Sequence, residues 1–281
     1  MIRYHSINGH FVPAGEAKIA INDLGLLRGY GIFDFFPIRN GYPLFAEDYF
    51  DRFYRSAAHM QISVPKQRPR LIQDVVDLAA HNGLQRAYTK LVLTGGTAAD
   101  GYTPHESNLI IIQHGDVSYD PVDYRDGIRL LLHRYDRDRP EIKTLNYANV
   151  IRHREILKRE SALDLLYHDG RNLHETSRAN FFIFDHRGVL RTSGPSALQG
   201  ITRMHVIKTA HSQGFKLEEG PLPLHYLARA KEAFITSTTK GVLPVTKIND
   251  LIIGDGSAGT RTLELHHAFE QYMLDVEQLQ H

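Results

Sequence analysis

The chain has 281 residues, enough for about two domains, and its 33 Lys and Arg against 32 Asp and Glu leave a net charge of +1. That balance excludes a whole-surface drive toward nucleic acid or acidic membranes, and zero cysteines exclude a disulfide scaffold, a thiolate nucleophile and a Cys-ligated zinc site. No apolar run approaches the roughly 18 residues of a membrane span, and Met1-Ile2-Arg3-Tyr4-His5-Ser6 carries no signal-peptide core, so the expectation is a cytoplasmic protein with no membrane partner.

In chain order, Ile19-Ala20-Ile21 and residues 31–39 read as strands, with Ile32, Phe33, Phe35, Phe36 and Ile38 in the second. Asn40-Gly41 signals a tight hairpin whose return strand holds Leu44 and Phe45. Residues 47–61 take a helical period through Phe50, Phe53, Tyr54 and Ala57, and 69–81 a second one through Ile72, Val75, Val76 and Ala79. Strands over 87–94 and 108–113 flank a Gly-rich loop at 95–102. The polar stretch 114–121 then marks a domain boundary. Beyond it, strands are expected at 128–133, 181–184 and 233–236, and helices at 146–161, 202–213 and 260–278. Strands and helices mix without strict alternation, so the fold class is α+β. The division is 1–114 for a small N-terminal domain, 115–123 for the connecting loop and 124–281 for a larger C-terminal domain.

Several chemistries fall away. Seventeen histidines include no His-Glu-x-x-His pattern, and His266-His267 point to different helix faces, so no metal site is expected. The 95–101 loop lacks the Gly-Lys-Ser/Thr ending of a phosphate-cradling loop, and no Gly-x-Ser-x-Gly elbow occurs.

Separated features remain that suit one planar ligand with a phosphate tail, an aldehyde and a ring nitrogen. Lys143, in Ile142-Lys143-Thr144-Leu145-Asn146-Tyr147, forms a Schiff base with an aldehyde if burial or nearby positive charge lowers its pKa; otherwise it is an exposed loop lysine. Glu175 stands before the apolar strand at Phe181, where an acid is costly unless paired; it either faces a pyridine nitrogen or ends a turn. Gln199-Gly200-Ile201-Thr202 opens a helix whose first N–H groups seat a phosphate, or Thr202 is a plain cap. Thr236-Ser237-Thr238 offers hydroxyls, and Arg52 a guanidinium that binds phosphate bidentately.

The order and spacing of these features resemble the fold-type IV pyridoxal-phosphate enzymes: branched-chain aminotransferases, D-amino acid transaminases and aminodeoxychorismate lyases. The likeness runs from about Asn22 to Asp250 and includes Asp23-Leu24-Gly25 with Gly29-Tyr30-Gly31-Ile32-Phe33-Asp34. It implies pyridoxal 5′-phosphate as cofactor, a two-domain α/β fold with a barrel-like sheet in the cofactor-binding C-terminal domain, and a homodimer. It implies Lys143 as the Schiff-base lysine, Arg52, Leu198, Gly200, Ile201, Thr202, Ser237 and Thr238 around the phosphate, Glu175 at the pyridine nitrogen and Tyr147 near the phenolic oxygen. An amino acid and a 2-oxo acid are then the substrates of a ping-pong transamination.

The chain departs from the family where the substrate carboxylate binds. The loop Gly95-Gly96-Thr97-Ala98-Ala99-Asp100-Gly101 has neither the Arg nor the His of D-amino acid transaminases, and Phe36-Pro37 stand where branched-chain enzymes carry an Arg. Arg28 and Lys90 are the remaining cations for that role, with Phe33 beside them in the substrate site; Lys90 shares a strand face with Val92 and is either edge-exposed or functional. The expectation is a D-amino acid transaminase with a non-standard carboxylate site. Branched-chain L-amino acid transamination, aminodeoxychorismate lyase activity and a catalytically silent cofactor-binding protein are the alternatives.

Overall fold

In the computed structural model, which describes residues 2–117 and 120–279, the chain divides into two units. One comprises Met1–Val117, Ile142–Asn146 and Val276–His281, and the other Ser118–Glu141 and Tyr147–Asp275. The division expected from sequence is contiguous, whereas these units exchange the short segment around Lys143. Of the connecting loop expected at 115–123, Ser118 and Tyr119 lie outside the described residues.

The first unit is built on β1 (Tyr4–Ile7), β2 (His10–Pro13), β3 (Gly31–Arg39), β4 (Tyr42–Pro43), β5 (Ala87–Thr94) and β6 (Asn108–His114), in the spatial order β2-β1-β6-β5-β3-β4. Its helices are α1 (Leu24–Arg28), α2 (Ala46–His59) and α3 (Arg68–His81). Period-two alternation sorts the sheet. Asp34, Phe36, Leu91 and Ile111 are buried, and Phe36 meets Tyr49 and Phe50 of α2 at ring separations of 5.5 and 5.6 Å. On the opposite face, cross-strand register sets Phe33, Val92 and Ile110 in one row and Phe35, Lys90 and Ile112 in the next. The helical stripes keep Phe50, Phe53 and Ala57 of the sequence pattern in α2 and Ile72, Val75 and Ala79 in α3, add Tyr49, Leu71 and Leu78, and leave Tyr54 and Val76 half-buried.

Two expectations fail here. Ile19–Ile21 is not a strand, because the Asp23 N–H turns back to the Ala20 carbonyl and the Asp23 carboxylate caps α1 through Gly25 N–H at 2.6 Å. The Asn40-Gly41 hairpin forms, both residues at positive φ (51° and 76°), but its return strand is only Tyr42–Pro43. Phe45 then takes a left-handed φ of 56° and starts α2.

The second unit holds α4 (Pro121–Asp126), β7 (Ile128–Arg134), α5 (Ala148–Arg152), α6 (Arg154–Arg159), β8 (Asp164–His168), β9 (Asn172–Thr176), β10 (Asn180–Phe184), β11 (Leu190–Ser193), α7 (Ile201–Ser212), β12 (Leu217–Gly220), β13 (Leu222–Pro223), β14 (Glu232–Ser237), β15 (Gly241–Ile248) and β16 (Leu251–Ile252). The helix α8 (Thr260–Leu279) ends the chain's described residues. The path β10-β14-β15-β7-β8-β9 returns to β10 through the pair Asn180–Glu175, which closes the sheet into a barrel. Phe181 and Ile183 point into a core with Leu130, Leu166 and Leu243, while Phe182 and Phe184 pack with Val206 of α7 and Phe269 of α8. Both faces of β10 are covered, so its apolar run does not alternate.

The single helix expected at 146–161 is two. The His153 ring nitrogen Nδ1 lies 2.6 Å from the Asn149 carbonyl, and the His153 amide bonds Val150 instead. A side chain thus meets the carbonyl that the next-turn amide would have used, and the helix breaks.

Candidate functional site

The first group of site residues grows from the edge of β3. Residues 142–146 run along that edge: Phe33 N–H donates to the Lys143 carbonyl at 2.9 Å, Leu145 N–H donates to Gly31 at 3.1 Å, and Ile32 bridges Thr144. A Cβ at Gly31 would stand 2.7 Å from Leu145 Cδ1 and from the Leu93 carbonyl, so only glycine permits this crossing. The backbone therefore fixes where Lys143 emerges, and its Nζ lies 4.7 Å from the Phe33 ring centroid. Lys90 Nζ reaches the same ring at 5.4 Å.

Lys90 is not at an edge, since β5 pairs with β3 on one side and β6 on the other. Burial, and after it the Lys143 charge, hold its pKa below the usual lysine range. Sequence thus supplied Phe33, Lys90 and Lys143 separately, and the sheet register gathers them. Arg28 is exposed at the end of α1, its Nη1 donating to the Leu27 carbonyl at 3.4 Å. Arg52 is buried against Asp34, with Nε donating to Oδ2 at 2.9 Å and Nη2 to Oδ1 at 2.5 Å. Asp34 also accepts from Phe35 N–H at 2.8 Å, so the carboxylate sets the direction of the guanidinium.

The second group lies on the barrel. Glu175 sits on β9 at the closing pair with β10 and is buried. Its Oε1 accepts from Arg137 Nη1 at 2.5 Å, and the pair borders a cavity of about 80 Å³ with Tyr135, Tyr167, His174 and Ser196. A buried acid paired with an arginine at a cavity wall suits a protonated ring nitrogen. Arg137 was missed from sequence, because it sits in the run Asp136-Arg137-Asp138-Arg139, which reads as a solvated turn. Tyr147 is the residue before α5, and burial pushes its phenol up to about 12, so it remains a neutral O–H donor.

In the same unit α7 starts at Ile201, with Gly200 as its cap and no side chain accepting from its first N–H groups. A Cβ at Gly200 would stand 2.2 Å from Asn180 Oδ1, while Asn180 Nδ2 donates to the Leu198 carbonyl at 2.7 Å. Thr202 is buried in the first turn. Ser237 and Thr238 follow at the end of β14. The buried hydroxyls of Thr236 and Ser237 have no hydrogen-bond partner among the described residues. Buried orphan hydroxyls call for a ligand, and a phosphate fits hydroxyls and helix N–H groups alike. By this test the residues present fit a phosphorylated pyridine aldehyde.

Comparison with known proteins gives the same chemistry. The model of the family Amino-transferase class IV matches residues 31–248. A Methanocaldococcus jannaschii protein, provisionally named a branched-chain-amino-acid aminotransferase, is 33% identical over 273 residues, 94% of each chain. A D-alanine aminotransferase of Listeria monocytogenes is 29% identical over 291 residues, 96% of each chain. The crystal structure of the Escherichia coli branched-chain amino acid aminotransferase superposes with a TM-score of 0.89 at 23% identity, covering 97% of this chain and 95% of that one, a likeness of fold. The chain belongs to the class IV aminotransferases, enzymes that depend on pyridoxal 5′-phosphate and exchange amino groups between amino acids and 2-oxo acids.

Proposed function

We propose that this aminotransferase moves the amino group of a D-amino acid to a 2-oxo acid by a ping-pong mechanism, with Lys143 as the amine that holds the cofactor. The observation that carries the reading is the meeting of Lys143, Lys90 and Phe33 on one sheet face, where a reactive amine adjoins a second cation and an apolar wall. Bound pyridoxal phosphate supplies an electron sink for the bond broken at the substrate α-carbon. Lys143, once displaced by the substrate amine, takes and returns the α-proton as a general base and acid. Glu175 holds a proton on the pyridine nitrogen, and Arg137 aims that carboxylate. Tyr147 stays protonated and donates toward the phenolic oxygen. The first turn of α7 from Gly200 through Thr202, the Leu198 segment, Ser237, Thr238 and Arg52 hold the phosphate.

Lys90 meets the substrate carboxylate, and Phe33 forms the wall beside it; Arg28, exposed at the end of α1, is the further cation of the proposal. The D-amino-acid reading is supported by D-alanine aminotransferase relatives along nearly the whole chain. A second reading, branched-chain L-amino acids, is favoured by the 33% relative and by the apolar row Phe33, Val92 and Ile110 next to Lys90. Assembly as a homodimer and a cytoplasmic location complete the proposal; among the described residues no helix is long and apolar enough to cross a membrane.

Borohydride reduction of the holoenzyme followed by peptide mapping is expected to leave the tag on Lys143; a tag on another lysine rejects the assignment. Coupled assays of D-alanine, D-glutamate and L-leucine against 2-oxoglutarate test the stereochemistry. Turnover of the D-amino acids is expected, and turnover of L-leucine alone would replace the first reading by the second.

A further inference from the structure

The Phe33 ring has two amines upon it, and their coupling goes further than the binding role of either. Nζ of Lys143 at 4.7 Å and Nζ of Lys90 at 5.4 Å from one centroid lie at most about 10 Å apart, about one Debye length at 0.1 M salt, and burial weakens the screening further. Both backbones are held in place. Lys90 is in the middle of β5 with neighbouring strands on both sides, and Lys143 is tied to β3 by two backbone hydrogen bonds. The rest of this face adds little negative charge. His114 on β6 and His5 on β1 are both held below the usual histidine range by burial, His114 further by the Lys90 charge. Arg39 on β3 lies over the Tyr88 ring of β5 and meets the half-exposed Asp116 at 4.0 Å. Lys90 itself responds to this setting through burial and through Lys143.

We propose that Lys90 tunes Lys143 by charge: with one ammonium fixed over Phe33, a second is disfavoured, and Lys143 presents a neutral, nucleophilic amine near neutral pH. This rests on the reading of Lys143 as the amine that holds the cofactor. The chemistry needs such a device, because only the neutral amine condenses with an aldehyde. Its lone pair forms the carbon–nitrogen bond, and the carbonyl oxygen leaves as water with the amine's two protons. An isolated lysine is almost wholly protonated at neutral pH, so few molecules would be ready to react. A neighbouring positive charge raises the reactive fraction without burying the amine beyond reach of its partner. Lys90 is on this account a positioning residue for charge, in addition to any contact with substrate.

The test titrates Lys143 directly. The full-length chain, stripped of cofactor, is labelled with limiting acetic anhydride over a pH series, and acetylation of each lysine is read by peptide mass spectrometry. Lys208, exposed on α7, serves as internal reference. In the unmutated chain the labelling midpoint of Lys143 is expected about one pH unit below that of Lys208, a tenfold larger neutral fraction. Coincident midpoints overturn the proposal without any substitution. In Lys90→Met and Lys90→Gln the Lys143 midpoint is expected to rise by about one pH unit, while Lys90→Arg keeps the wild-type value. Unchanged midpoints in both neutral variants overturn the charge mechanism. An arginine variant that moves with them also overturns it, since packing would then be the cause. A borohydride tag on another lysine would sink the role of Lys143 and leave this titration standing; an ordinary titration would sink the coupling and leave the role standing.

Discussion

Two arginine–carboxylate pairs, the buried Asp34–Arg52 in the first unit and Glu175 with the half-buried Arg137 in the second, do different work. Asp34 and Arg52 join strand β3 to helix α2 through two side-chain hydrogen bonds, and both side chains are almost wholly covered, at 1% and 5% exposure. Asp34 takes a backbone N–H as well, so both carboxylate oxygens are engaged. Glu175 accepts from Arg137 Nη1 at 2.5 Å, and the pair stands at the wall of a cavity. A pair engaged at both carboxylate oxygens is a strut that ties strand to helix and aims the guanidinium. A pair on a cavity wall is reached by whatever enters the cavity, and its arginine places a positive charge beside the acid.

That contrast can be broken by measurement. The largest effect is expected from Asp34→Ala, which leaves the Arg52 charge buried and uncompensated at a cost of about 3–5 kcal/mol. Denaturant unfolding of the cofactor-free chain measures it, and a loss below about 1 kcal/mol would mean that the pair is no strut. Arg137→Ala is expected to cost less, about 1–3 kcal/mol, because water entering the cavity can meet Glu175. In the same variant cofactor affinity should fall, since Glu175 loses the hydrogen bond that aims it. An equal stability loss for the two variants would erase the distinction.

The smallest effect concerns pH. Burial raises Tyr147 and Tyr167 in the second unit to about 12, and Tyr54 in the first unit likewise. Their folded pKa values lie above the unfolded value near 10, so the stability they contribute is complete below about pH 10 and is lost as pH rises through about 12. Spectrophotometric titration should show these phenols ionising late, and Tyr147→Phe should remove one late phenol while the others remain. A variant with an unchanged late step would place Tyr147 in a wetter setting than its burial implies.

The residues that carry the cofactor's chemistry could be read from the chain because each is constrained locally. Lys143 precedes Leu145-Asn146-Tyr147, Glu175 precedes the apolar run of β10, and Gly200-Ile201-Thr202 opens α7; each pattern survives in one dimension. Arg137 could not be read, since among alternating Asp and Arg only the fold decides which side chain turns inward. The break at His153 was equally hidden. It depends on a ring nitrogen reaching back to Asn149, while the apolar period on either side continues as if the helix did. Lys90 was half legible: its strand was clear, but whether that strand lay at an edge or in the middle was not.

By itself the sequence determined the class of chemistry and the two longer helices of the first unit, α2 and α3, because apolar spacing and short motifs act over a few residues at a time. Only the tertiary structure decided which residues meet. Closure of the barrel puts Glu175 against β10, the register of β3, β5 and β6 aligns Lys90 with Phe35 and Ile112, and the 142–146 segment delivers Lys143 from far along the chain to the Phe33 ring that Lys90 also reaches. These are pairings between distant segments, set by hydrogen-bond register and by which faces can be buried together, and no local pattern encodes them.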